Sequence, residues 1–120
     1  MKKTERLHSK KLIEELFLRG KSTMAYPLKV IYLEGCSPLE HPVQVAFSVS
    51  KRLFKKAVTR NHIKRRIREA YRLQKPYFQD CLKEKRMAMM FIYIAKENLP
   101  YSETEKGIKK ALKKLTSKKN

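Results

Sequence analysis

Residues 51–72 read KRLFKKAVTRNHIKRRIREAYR, and the way this stretch divides into faces decides how the rest of the chain is arranged. It holds ten Lys or Arg residues against a single acid, Glu69. A charge run without apolar period reads as a solvated or disordered tail. This one keeps an apolar row: at 3.6 residues per turn, Ile63, Ile67, Ala70 and Tyr71 fall on one contiguous face. Asn61, Lys64, Arg65, Arg68 and Arg72 fall on the roughly opposite side, within an arc of about 100°. His62, Arg66 and Glu69 occupy the flank between the two. Arg60 breaks the pattern, because as a helical residue it projects toward the apolar side. Either it sits in a first turn that overhangs the core, or a specific partner holds it.

Lys- and Arg-rich helices are common on surfaces, where their stems cover apolar neighbours. A merely solvated face, however, interleaves acids at i,i+4 to relieve repulsion. Glu69 alone is available here, and it can serve Arg65, Arg66 or Arg72 only one at a time. The pattern predicts a helix that packs on one side and presents cations on the other, a rigid polyanion-binding element.

The whole chain agrees. Its 120 residues carry 30 Lys plus Arg against 11 Asp plus Glu, a formal net charge of +19. Such a charge opposes compaction by self-repulsion and points to an anionic partner, of which RNA fits best. A membrane fits less well, since no segment is a long amphipathic anchor with exposed bulky apolar residues. At 42% hydrophobic the chain has apolar material for one modest core, so a single domain over residues 1–120 is expected, with 117–120 as a frayed tail. Met87–Ala95 is far too short to span a bilayer. MKKTERLHSKK at the N-terminus leads into no apolar run of the kind a signal peptide needs. Cys36 and Cys81 could pair, but two reduced thiols in a cytoplasmic chain are the expectation. His8, His41 and His62 show no metal-ligand spacing with them.

The order of elements follows from capping, periodicity and turns. Ser9 can cap a helix from Lys10 to about Arg19, with Leu12, Ile13, Leu16 and Phe17 as its apolar face and Gly20 at its C′ position. Short strands are expected near Lys21–Met24 and over Leu28–Leu33, before a turn marked by Gly35, Ser37-Pro38 and Pro42. Val43–Val49 alternates as a strand does. The basic helix follows and should stop near Pro76, leaving Tyr77–Lys85 as a helical turn or a loop. Met87–Ala95, MAMMFIYIA, is the near-continuous apolar run of a strand buried on both faces. Ser102 and Glu105 form an S-x-x-E capping box, and Ile108, Ala111, Leu112 and Leu115 supply the stripe of a last helix. The expected fold is an α+β sandwich, αβββαβα, with a four-stranded sheet and the basic helix crossing between two core strands.

VSKR from Val49, followed by AVTRNHIKRRIREAYR from Ala57, resembles the signature of the bacterial ribonuclease P protein subunit. That family reads V-S-K-[KR], then A-V-x-R-N-R-x-K-R, then R-E-x-[FY]-R, and its order of elements is the one outlined above. The resemblance implies an RNA-facing motif of Arg60, Asn61, His62, Lys64, Arg65, Arg66 and Arg68, with Lys51 and Arg52 of VSKR before it and Arg72 at its end. His62 departs from the pattern, standing where the family has a second Arg. Histidine is mostly neutral near pH 7, so a hydrogen bond or a stack replaces a fixed charge there.

The family also grips the 5′ leader of precursor tRNA in a cleft between the first helix and the sheet. The matching positions are Phe17, Ile13, and a strand residue at Ile31 or Tyr32. Bases stack on aromatic rings with little sequence preference, at roughly 1–3 kcal/mol per base. Ile13 stands where many members carry a second aromatic residue. An aromatic residue at helical spacing is as readily core as cleft.

The implied function is that of a protein subunit of ribonuclease P, the endonuclease that removes the 5′ leader. Its partners would be the catalytic RNA subunit and precursor tRNA, and the protein alone would be a monomer. The RNA subunit would hold the catalytic Mg2+ ions, and no catalytic or metal-ligating residue is assigned to the protein. The acids are scattered among lysines, with no carboxylate cluster and no Ser–His–Asp or Cys–His arrangement. Two rivals are a structural RNA-binding protein and a protein-only nuclease. A DNA-binding role is weaker, since no helix-turn-helix pair precedes the basic helix.

Overall fold

The structure, a computed structural model, describes residues 10–34, 43–85 and 87–116, with the backbone alone for 82–85. Its elements are α1 (Lys10–Arg19), β1 (Lys21–Ala25), β2 (Leu28–Glu34), β3 (Val43–Val49), α2 (Ala57–Lys85), β4 (Met87–Tyr93) and α3 (Tyr101–Thr116). The expected αβββαβα order is thus the observed one. The strands form one sheet in the order β1-β2-β4-β3. β1 and β2 form an antiparallel hairpin around Tyr26 and a cis Pro27, and β4 pairs antiparallel with β2. β3 and β4 are parallel, from Val43 opposite Met87 to Val49 opposite Tyr93. Parallel neighbours require a long crossover, and α2 is that crossover.

The two faces of the sheet receive different partners because strand side chains alternate. Leu28 and Val30 of β2, Val43, Val45 and Val49 of β3, and Met87, Met89, Phe91 and Tyr93 of β4 point to one face. There they meet Ile63, Ile67, Ala70 and Tyr71 of α2 and Ile108, Ala111, Leu112 and Leu115 of α3. The apolar row read from residues 63–71 is therefore the core face of α2. Ile63 and Ile67 are 1% and 0% exposed, so truncating either to Ala would remove about 2–5 kcal/mol. The opposite face carries Ala88 and Met90 under Leu16 of α1, flanked by Leu12, Ile13, Ile31, Leu33, Ala46 and Ile92. Residues 87–91 are buried throughout, as a central strand covered on both faces requires.

Several boundaries differ from the sequence reading. α2 does not stop near Pro76 but runs to Lys85, so Tyr77–Lys85 is helix. Pro76 is exposed. The Arg72 carbonyl that loses its helical donor can then be hydrated, which removes most of the penalty of an interior proline. β4 ends at Tyr93, not Ala95, and the Ile94 N–H donates to the Pro27 carbonyl at 2.9 Å. α3 starts at Tyr101, where the Glu103 N–H donates to the Pro100 carbonyl, so Ser102 lies inside the first turn and not at the cap. Gly20 does follow α1, and close approach explains it: a Cβ there would collide with the Leu16 carbonyl and lie 3.0 Å from the Tyr32 carbonyl. The expectations for Ser9, His8, Cys36, His41, the turn residues Gly35, Ser37, Pro38 and Pro42, and the 117–120 tail lie outside the described residues. Among the described residues no helix is long and apolar enough to cross a membrane.

Candidate nucleic-acid interface

The turn that leads into α2 explains why Lys51 and Arg52 project. Val49 is buried at the end of β3. The Ser50 hydroxyl accepts the N–H groups of Arg52 at 3.0 Å and Leu53 at 3.4 Å, and the Phe54 N–H donates to the Ser50 carbonyl at 3.1 Å. Buried Phe54 packs against Tyr93 with ring centroids 5.9 Å apart. Serine suits this position because its hydroxyl satisfies turn N–H groups. Lys51, Arg52, Lys55 and Lys56 are left exposed around it. Neither Ser50 nor Phe54 was singled out from the sequence, although the S of V-S-K-R carried the signal.

Along α2, Asn61, His62, Arg65, Arg68 and Arg72 are exposed and Lys64 is half-buried. Val58, Asn61, His62 and Arg65 line a shallow cavity of about 220 Å³ at the start of the helix. The Arg68 guanidinium carbon stands 6.0 Å from the centre of the Phe47 ring, at the outer range of a cation–π contact. Arg72 pairs with Glu69 at 2.6 Å, and this bond holds the Glu69 carboxyl below its ordinary pKa. The pair carries no net charge, so Arg72 adds less to the cationic field than its position on the arc suggests.

Two of the motif arginines are already engaged within the protein. The Arg60 guanidinium donates to the carbonyls of Phe54 and Lys55, each at 2.9 Å. This resolves the periodicity anomaly: Arg60 points back toward the core side and satisfies the loop that precedes the helix. Arg66, half-buried, donates to Asn98 Oδ1 at 2.6 Å and to the Leu99 carbonyl at 2.8 Å. The same loop is held from below by Tyr93, whose hydroxyl donates to the Glu97 carbonyl at 2.7 Å and accepts the Leu99 N–H at 3.0 Å.

On the other side of the sheet, register decides which β2 residue lies under α1. Ile31 shares the α1 face with Ile13, whereas Tyr32 points to the opposite face and packs against the main core. Of the two strand positions offered for the cleft, Tyr32 is thus turned away from α1, and Ile31 alone stands on its face. Phe17 is 56% exposed and stands one turn beyond half-buried Ile13. Cross-strand rows extend this face away from the helix. Ser22, Ile31, Met90 and Ala46 form one row, and Met24, Lys29, Ile92 and Ser48 the next. Met24 is 53% exposed. Met24, Lys29 and Ile92 were not singled out beforehand, since only the pairing of three strands brings them together. Among the described residues, no group of three His, Cys, Asp or Glu side chains gathers as a metal-binding set.

The arrangement offers a cation array on a helix anchored at both ends, and on the other face of the sheet an exposed aromatic ring, Phe17, beside half-buried Ile13. Residues 1–118 match the family model described as ribonuclease P. The chain is 34% identical over 114 residues to the ribonuclease P protein component of Porphyromonas gingivalis, covering 93% of this chain and 83% of that one. It is 38% identical over 116 residues to the component from Streptococcus agalactiae, covering 94% and 95%. The solved ribonuclease P protein of Thermotoga maritima superposes with a TM-score of 0.72 at 21% identity, over 92% of this chain and 96% of the other. That of Staphylococcus aureus gives 0.70 at 23% identity, over 92% and 94%. With sequence, family model and fold in agreement over nearly its whole length, the chain belongs to the ribonuclease P protein family.

Proposed function

We propose that this chain is the protein subunit of a ribonuclease P, a cytoplasmic ribonucleoprotein that removes the 5′ leader of precursor tRNA. The observation that carries the reading is the array of exposed Arg65 and Arg68 with half-buried Lys64 on a crossover helix fixed between two sheet strands, joined by exposed Lys51 and Arg52 in the turn that precedes it. Rigid cations bind a shaped phosphate array with less ordering cost than a floppy arm, and a folded RNA is recognised largely through its backbone. Each phosphate neutralised releases counterions and steepens the log–log salt dependence by roughly 0.7–0.9. Asn61 and His62 add hydrogen-bonding groups at the start of the helix. Arg60 and Arg66 support the array by holding the loops at its two flanks, and Arg72 contributes as half of an ion pair.

In this reading the precursor leader lies in the cleft of Ile13, Phe17 and Ile31, with Met24 and Ile92 extending its floor and Lys29 offering a cation to a leader phosphate. Phe17 supplies a ring for a base to stack on. The Mg2+ ions would be held by the RNA subunit, and the chemistry they would supply there is activation of water and stabilisation of the leaving oxygen. The protein binds and positions, as a monomer, and performs no bond cleavage itself.

Cleavage of a precursor tRNA by a bacterial ribonuclease P RNA at limiting magnesium, with and without the protein, tests this. Stimulation only when both are present is the expected result. Cleavage by protein alone would make it a nuclease in its own right. Tight, salt-sensitive RNA binding without stimulation would leave a structural RNA-binding protein.

A further inference from the structure

The C-terminal half of α2 and the body of α3 enclose a groove of about 390 Å³ that the proposed function leaves unused. It is lined by Gln74, Tyr77 and Phe78 of α2 and by Lys109 and Lys113 of α3. That volume is at the small end of the roughly 300–1,000 Å³ common for small-ligand sites. Phe78 packs against the main core and fixes the rotation of the helix, whereas Tyr77 is 78% exposed. Leu73, one turn earlier, is 42% exposed. An exposed tyrosine beside an exposed leucine leaves an apolar strip on this flank of an otherwise cationic helix.

The charges along the strip are one-sided. Lys106 is paired with Glu103 at 3.7 Å, and the Lys114 ammonium donates to the Met24 carbonyl at 2.6 Å. Lys109, Lys110 and Lys113 are exposed, and no described carboxylate pairs with them. Asp80, the acid nearest Tyr77 on α2, is not among the lining residues. A ring that can take a stacked base, flanked by two ammonium groups that can take its phosphates, has the composition of a single-strand nucleic-acid site. A duplex would present no free base face to Tyr77.

We propose that this groove binds an unpaired nucleotide of the ribonuclease P RNA subunit, as a contact separate from the basic motif. The base stacks on Tyr77, the Gln74 amide meets its edge, and Lys109 and Lys113 hold the flanking phosphates. The RNA subunit is the source because α2 carries both surfaces: the arc on one side and, about a turn and a half beyond Arg72, the groove on the side that continues the Ile67, Ala70 and Tyr71 row toward α3. The leader cleft opens under α1, on the other face of the sheet. This inference rests on the ribonuclease P reading.

The test is equilibrium binding of the full-length protein to ribonuclease P RNA across a salt series, with chemical probing of unpaired nucleotides in the complex. Tyr77→Ala is expected to weaken binding about 5- to 100-fold, with Tyr77→Phe near wild type, in keeping with roughly 1–3 kcal/mol per stacked base. Lys109→Ala with Lys113→Ala should flatten the salt slope by about 1.4, roughly 0.7 for each single-strand phosphate. Tyr77→Ala should also lose protection at a nucleotide that Arg65→Ala with Arg68→Ala leaves protected. Wild-type affinity for Tyr77→Ala, with an unchanged slope for the lysine pair, overturns the groove contact. If the Arg65/Arg68 variant still loses binding in that case, the broader reading stands. A Tyr77-dependent protection found only on precursor tRNA overturns the assignment to the RNA subunit. Failure of the wild-type protein to bind ribonuclease P RNA removes both readings together.

Discussion

The Arg66 guanidinium reaches Asn98 Oδ1 at 2.6 Å across 32 positions of sequence, and the same group caps the Leu99 carbonyl. An arginine of the basic motif is therefore a strut between α2 and the loop that leads into α3. Arg65, its neighbour in sequence, is exposed. Arg66→Ala is expected to lower unfolding stability by about 1–2 kcal/mol, since hydrogen bonds from a charged donor are lost. Arg65→Ala should stay within about 0.5 kcal/mol and instead weaken RNA binding. Denaturant unfolding of the two variants separates them, and equal stabilities would remove the strut.

Tyr71 has a buried hydroxyl without a hydrogen-bond partner, and burial pushes its pKa well above the ordinary tyrosine value. Below about pH 10 the group is neutral in both folded and unfolded chains. Above that, the unfolded chain loses a proton that the native core retains, so stability falls as pH rises. Tyr93, also shifted upward chiefly by burial, acts in the same direction. Tyr71→Phe should keep or raise stability at neutral pH, by up to about 1 kcal/mol, and make the alkaline decline shallower. A decline parallel to wild type would show that the Tyr71 hydroxyl ionises freely in the native state.

Gly107 lets α3 lie against the β1–β2 turn. A Cβ there would stand 3.0 Å from Pro27 Cδ and 3.1 Å from the Ala25 carbonyl oxygen. Alanine favours a helix by about 1 kcal/mol over glycine, but forcing the two elements apart costs about 1–3 kcal/mol. Gly107→Ala is expected to lose about 1 kcal/mol net in thermal or denaturant unfolding. A gain would mean that the turn yields without strain.

If the proposed function holds, substitution of Phe17 separates leader recognition from folding. With more than half of the side chain exposed, Phe17→Ala should change stability by less than about 0.5 kcal/mol. It should weaken binding of precursor with a leader by about 5- to 100-fold, equivalent to the loss of one stacked base. Mature tRNA should bind unchanged. Equal losses for both RNAs would place Phe17 outside the cleft's function.

The core face of α2 was legible because Ile63, Ile67, Ala70 and Tyr71 obey a period that depends on the helix alone. The β4 run was legible for a similar reason, since a continuous apolar stretch of that length needs cover on both faces. What could not be read depended on partners distant in sequence. Arg66 counts as a surface cation until the loop at Asn98 is in place. Ile31 and Tyr32 differ by one residue, and only pairing with β1 and β4 assigns one to each face. Pro76 misled because a helix breaker was judged without knowing that its turn faces water. Tyr77 and Lys113 share a groove only because α2 continues past that proline.

β4 is last among the strands in sequence but sits between β2 and β3 in the sheet. A growing chain thus completes its cationic helix before the strand that organises the sheet has been made. Until residues 87–93 arrive, β2 lacks one neighbour and β3 lacks the partner that α2 is meant to span toward. Pairing across so long a separation delays the rewarding contacts until late in folding. The order of synthesis therefore sets a time when the charges are present but their spacing is not. Chains ended at Lys85 should show little amide protection in β2 and β3, whereas strong protection there would mean that this half of the sheet organises without its centre.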